Sequence, residues 1–230
     1  VELVVDEHRG LWRTGGVSAT AASEVYKRAH EAGLALRSSF FAARLEGVEI
    51  SGSVGPGISS TSGGAMQGSD WSLHNNTEHG LYIDRATVVV NGLNLSNNQQ
   101  SGAQVWDARY VTFENLSAHN NGGVASSNPL AQNQAGLYYE DSNDIESGSG
   151  DVRCRNCLVT GSTGAGILAV NSVDLWLENI TLEQNSGDVP ALEIDNTDTM
   201  PAAALVRVPL AQARTTSATH TPTPARPSKT

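Results

Sequence analysis

Residues 81–98 read LYIDRATVVVNGLNLSNN, and residues 103–121 follow the same plan as AQVWDARYVTFENLSAHNN. In both, an apolar-any-apolar pair is followed by two further pairs of the same kind, and the last ends in two polar residues. Period-two alternation sends the apolar members to one face of a strand and their neighbours to the other, so each copy encodes three short strands. Working outward, the third pair recurs as Val48-x-Ile50 before Gly52-Ser53 and Trp71-x-Leu73 before Asn75-Asn76. It continues as Leu93-x-Leu95 before Asn97-Asn98 and Leu116-x-Ala118 before Asn120-Asn121, then Cys157-x-Val159 and Ile180-x-Leu182. The starts at 48, 71, 93, 116, 157 and 180 are 23, 22, 23, 41 and 23 residues apart, so one step holds an insertion of about 18. The period is 22 to 24 residues.

A glycine precedes the first strand of most copies, at Gly33, Gly57, Gly80, Gly102, Gly136 and Gly166, with Ala191 in the seventh. Between the second and third strands stands Gly47, Asp70, Gly92, Asn115, Asn156 or Asn179. Units this short bury their apolar face only by stacking, each strand pairing with its equivalent in the next unit. The expected fold is all-β, a solenoid of three parallel sheets in about seven coils. A left-handed hexapeptide helix would need a six-residue sub-period, and a propeller a repeat near 40 residues. The pattern resembles the right-handed parallel β-helix of the pectate-lyase-like superfamily, in which the bend between the second and third sheets often carries stacked asparagines. On that resemblance Asn115, Asn156 and Asn179 form a ladder, and Val90, Phe113, Cys154 and Leu177 share one interior column.

The ends differ in kind. Residues 1–32 read as an N-terminal strand and a capping helix, with Ala21, Ala22, Val25, Ala29 and Ala32 on one face over 18–32. Ser18 or Thr20 would serve as N-cap and Gly33 as terminator. The β-helix is expected over 33–199, and 200–230 as a C-terminal extension. From Thr215 that extension is almost wholly Thr, Ser, Pro, Ala and basic residues, the composition of a linker or stalk and a plausible place for glycosylation. The chain starts at Val1, so a signal peptide has been removed or the sequence begins inside a longer chain.

The 230 residues are 17% charged, 5% aromatic and include 23 glycines, which excludes a coiled coil, a highly charged disordered chain and a disulfide scaffold. No apolar run reaches the length of a membrane span. Net charge is -10 with only Lys27 and Lys229 as lysines, so the long-range field repels polyanions and argues against nucleic acid.

In the resembled fold, substrates lie along the outward face of the first sheet between loops that interrupt the repeat. Two such loops, 122–135 and 140–150, flank the first strand of the fifth coil. The outward positions between them are Tyr82, Asp84, Gln104, Trp106, Tyr138 and Glu140. Aromatic faces beside carboxylates and amides suit sugar rings, and Trp106 and Tyr138 are expected to face solvent on adjacent coils. Asp141, Asp144 and Glu146 form part of an acidic loop whose oxygens could hold Ca²⁺, although the spacing is not that of an EF-hand. No other cofactor is expected.

Complete catalytic signatures are missing. Asn196-Thr197-Asp198 is similar to the Asn-Thr-Asp element of polygalacturonases, but the elements that should follow it are absent. Lyases of the superfamily use Arg or Lys as base, which would implicate Arg85 or Arg109. Cys154-x-x-Cys157 lacks the second pair a structural zinc needs, and both are expected as buried thiols, with a strained local disulfide as the alternative. His74, His79 and His119 are expected as solvated loop residues. Asn75, Asn94, Asn115 and Asn179 open N-glycosylation patterns, which chance explains within an Asn-rich repeat.

The expected function is therefore a secreted or cell-surface β-helix protein with a structural, adhesive or filament-forming role, able to bind glycans. A polysaccharide lyase, hydrolase or epimerase is the alternative. An open-ended solenoid with an extension is also suited to head-to-tail assembly.

Overall fold

The computed structural model describes residues 17–20, 32–37, 42–61, 64–108, 110–123, 134–140, 152–172, 175–185 and 190–195. In chain order the strands begin with β1 (Val17–Thr20), β2 (Leu34–Arg37), β3 (Ala42–Glu46), β4 (Glu49–Ser51) and β5 (Ile58–Thr61). They continue with β6 (Ala65–His74), β7 (Leu81–Asp84), β8 (Thr87–Ser96), β9 (Ala103–Trp106) and β10 (Tyr110–His119). The last are β11 (Leu137–Glu140), β12 (Val152–Thr160), β13 (Ile167–Val170), β14 (Leu175–Glu183) and β15 (Leu192–Asp195). One parallel sheet runs β2-β5-β7-β9-β11-β13-β15 and the other β1-β3-β6-β8-β10-β12-β14, with β4 also on β6. The fold is a right-handed parallel β-solenoid, and the described residues trace about six turns plus the first strand of a seventh.

The second and third expected sheets run on into one hydrogen-bonded sheet because the second and third strands of most coils are continuous through a single bent residue. That residue is Asp70, Asn115, Asn156 or Asn179, each with φ between 53° and 58°, or Gly92 with φ 77°. Asparagine and aspartate tolerate this left-handed conformation better than other side chains. The asparagines also bond along the axis. Asn115 Nδ2 donates to Asn91 Oδ1 at 2.7 Å, Asn156 Nδ2 to Asn115 Oδ1 at 3.0 Å, and Asn179 Nδ2 to Asn156 Oδ1 at 2.8 Å. The expected ladder is present, on the outside of the bend.

A second amide ladder runs inside. Asn76 Nδ2 donates to Asn98 Oδ1 and Asn98 Nδ2 to Asn121 Oδ1, both at 2.9 Å, and all three residues are buried. Their amides also bond backbone groups of neighbouring coils, satisfying at the third corner polar atoms that no strand reaches. The glycines before the first strands stack directly beside this ladder. A Cβ at Gly102 would lie 2.6 Å from Gly136 O and 2.9 Å from Asn121 Nδ2.

The interior is built of vertical columns. Val90, Phe113, Cys154 and Leu177 are successive register partners, as expected. The column Ile83, Val105, Tyr139, Ala169 alternates large and small side chains. Burial holds the Tyr139 phenol protonated, far above its ordinary range.

Two expectations are corrected. Strand β1 pairs with β3, Val17 opposite Ala43, so residues 18–20 are strand rather than the start of a helix. At residues 17–20 the edge of β3 is satisfied by backbone pairing. Residues 21–31 lie outside the described residues. Secondly, Cys154 and Cys157 are buried but joined as a disulfide, with Cα atoms 6.2 Å apart. The bend at Asn156 turns the two inward positions on either side of it toward each other. Replacing both by alanine is expected to lower stability by about 2 kcal/mol, the loop-closure value for so short a ring. Urea unfolding with and without reductant measures it; an unchanged midpoint contradicts it.

Candidate functional site

The outward positions of the first sheet form two rows. One runs Ser59, Tyr82, Gln104, Tyr138, Leu168, and the other Asp84, Trp106, Glu140, Val170. Register thus sets Trp106 between Asp84 and Glu140, while Tyr138 lies beside Gln104. Trp106 is 42% exposed, one of the few large apolar side chains turned to solvent among the described residues. Asp84 carries a two-point pair with Arg85, Nε to Oδ1 at 2.9 Å and Nη2 to Oδ2 at 3.3 Å. Arg85 and Asp107 both take left-handed φ at the corner that ends their strands, which turns the chain away immediately below the row.

The other row departs from expectation. Tyr138 is fully buried and packs with Ala135, Ala165 and Leu168 in a small apolar cluster outside the main core. It is therefore no solvent-facing partner for Trp106. Gln104 is also buried. Tyr82 remains half-buried and stacks on His79, ring centroids 5.8 Å apart at 27°. Burial raises the Tyr82 pKa, and Asp84 adds to the effect.

His79 is buried, not the solvated loop residue expected. Desolvation pulls its pKa down to about 4, against a hydrogen bond with the Ser101 backbone that works the other way. The unfolded chain therefore binds a proton near pH 6.5 that the folded one refuses until about pH 4. Stability is full above that window and falls as pH drops through it, by about 3 kcal/mol. His79→Gln is expected to flatten the profile between pH 6.5 and 4; a wild-type profile already flat there contradicts the account. His74 bonds Glu49 at 3.0 Å and Asn75 at 2.8 Å, and His119 bonds Ser117.

The remaining candidates fall elsewhere. Arg109, the Ca²⁺ candidates Asp141, Asp144 and Glu146, Asn196-Thr197-Asp198 and most of both flanking loops lie outside the described residues. Among the described residues no group of three or more His, Cys, Asp or Glu is placed to hold a metal. No described helix is long and apolar enough to cross a membrane. Of the glycosylation-pattern asparagines, Asn115 and Asn179 have their amides in the outer ladder.

The fold and its outer row define a parallel β-helix protein with an aromatic flanked by carboxylates on the first sheet. The chain belongs to the family described as right handed beta helix region, which matches residues 27–187. Among solved structures it is similar to the A-module of the mannuronan C-5 epimerase AlgE4 of Azotobacter vinelandii, with 12% identity and a TM-score of 0.49. That match covers 77% of this chain and 54% of the module, so the chain spans about half the module's length. Among curated proteins no match is found.

Proposed function

We propose that this is a secreted or cell-surface β-helix protein that binds an extracellular glycan on the outward face of its first sheet. The observation that carries the reading is Trp106, exposed and in register between Asp84 and Glu140. The indole offers a face for the apolar C–H surface of a sugar ring, and the carboxylates accept from hydroxyls on either side. A core disulfide fits an oxidising compartment. The chain's charge of -10 favours neutral glycans over polyuronates unless a cation intervenes.

The test is affinity electrophoresis through gels containing neutral or uronic polysaccharides. Trp106→Ala is expected to weaken retention by about 1 to 3 kcal/mol, as loss of an aromatic contact does, with unchanged urea stability. Equal retention of the variant and the parent in every gel would sink the proposal.

One observation supports catalysis as the second reading. His79 and Tyr82, an imidazole and a phenol, lie in ring contact beside the row, the pair of groups from which a base and an acid for proton abstraction and return at a uronate carbon would be drawn, although burial weakens the imidazole as a base. A substrate would reach His79 only past Tyr82, because the imidazole is 5% exposed, and this places the reading second. Unsaturated or C5-inverted uronate formed by the parent and lost in Tyr82→Phe would promote it.

A further inference from the structure

The second sheet carries a dent on its outer face, over a glycine of the core column. At the inward position where its register partners are Leu45 and Val90, β6 has Gly68. A Cβ there would fall 1.8 Å from Leu45 O and 2.7 Å from Trp71 Nε1. The indole of Trp71, reaching across the same bend, donates to Leu45 O at 3.0 Å and takes the volume that a Gly68 side chain would fill. The neighbouring corner pairs, Val90 with Leu93 and Phe113 with Leu116, share that volume between two side chains. Above Gly68 and Val90 the outer surface holds an open cavity of about 290 Å³.

Its rim is polar but has little uncompensated charge. Arg44 lies 2.6 Å from Glu46, and Glu114 faces Arg155 at 3.8 Å. Gln67, Ser69 and Asn91 present amides and a hydroxyl, and Val89, 38% exposed, supplies an apolar edge. Asn91 Oδ1 accepts from Asn115, which fixes that amide's orientation. Paired charges inside a negative chain give no attraction for an anion. Hydrogen-bonding groups of both senses beside one apolar edge match a polyhydroxylated ring, and the volume is at the small end of ligand sites.

We propose that the dent above Gly68 is a saccharide subsite that takes one neutral pyranose unit, independent of the Trp106 row on the first sheet. Tyr110, also exposed, stands at the start of β10 on this same sheet, four residues after Trp106.

The test is an amide-resolved NMR titration of the full chain with neutral trisaccharides of glucose, mannose and xylose, and with trimeric uronates. With at least one neutral sugar, the amides of Gln67, Gly68, Ser69, Val89 and Asn91 are expected to shift in a saturable way. Ser69→Trp, an outward substitution that plugs the dent, is expected to abolish those shifts and leave any at Asp84, Trp106 and Glu140 intact. Gln67→Ala is expected to weaken the dent's affinity roughly fivefold, the loss of one hydrogen bond. Shifts confined to the first sheet would overturn the dent and spare the Trp106 row. Dent shifts that survive Ser69→Trp, or that uronates produce as strongly as neutral sugars, would also overturn it. Silence on both surfaces would overturn both proposals.

Discussion

Asn98→Ala is expected to remove at least about 3 kcal/mol of stability, and as much as about 7, through the interior ladder alone. The Asn98 side chain accepts from Asn76 N at 3.2 Å and from Asn76 Nδ2 at 2.9 Å, and it donates to Leu73 O at 3.1 Å and to Asn121 Oδ1 at 2.9 Å. Alanine leaves the two Asn76 donors buried and unpartnered, each at about 1 to 3 kcal/mol, and takes from Leu73 O, a carbonyl of the β6–β8 ladder, one further hydrogen bond of about 1 kcal/mol. Domains of this kind have only about 5 to 15 kcal/mol in total, so the variant stands near the edge of folding. The neighbouring Asn97→Ala is the control. Asn97 is exposed with φ 53°, so its loss is the left-handed preference alone, about 1 to 2 kcal/mol. Urea midpoints for the two variants should differ widely; similar midpoints would show that the interior amides do not hold the coils together.

Gly136→Ala is the second large effect. The new methyl would stand 2.2 Å from Val159 Cγ1, 2.7 Å from Gly166 O and 2.7 Å from Ser162 Oγ. Valine can rotate, but Gly166 O is held by the Leu137 amide at 3.0 Å, so relief there means parting two coils. A cost above about 3 kcal/mol is expected, at the upper end for overpacking. Ala191 occupies the same place in the seventh turn, where no described strand follows to supply a colliding carbonyl. Ala191→Gly is accordingly expected to cost about 0.5 to 1 kcal/mol from chain entropy only. Thermal unfolding of the pair checks this, and equal losses would contradict the stacking account.

How much of this was legible follows from what each signal measures. The 22- to 24-residue period is a property of stacking, so register survives intact. Val90, Phe113, Cys154 and Leu177 fall in one column because the repeat leaves them no other place. The bend asparagines were readable for the same reason. The disulfide was not, because inward position alone does not say that a left-handed corner brings residues 154 and 157 within 6.2 Å. Gly68 with Trp71 is the same corner filled by one large side chain, visible only once the bend is known.

The placement of the candidate residues was half legible. Alternation placed Trp106 outward correctly, and it placed Tyr138 outward too, but outward is not exposed. The warning stood one turn later, where Ile167-Leu168-Ala169-Val170 does not alternate at all. A strand apolar on both sides is covered on both sides, and Leu168 is indeed buried against Tyr138. His79 carried no such signal, since its burial depends on Tyr82 and Ser101 from two different coils.

The most direct test of glycan binding without chemistry is a proton NMR spectrum of neutral and uronic oligosaccharides incubated with the protein. The account predicts selective broadening of a bound glycan, lost with Trp106→Ala, and no new signals after prolonged incubation. Sharp, unaltered glycan lines throughout would contradict binding, and olefinic, inverted-uronate or new reducing-end signals would contradict the absence of chemistry.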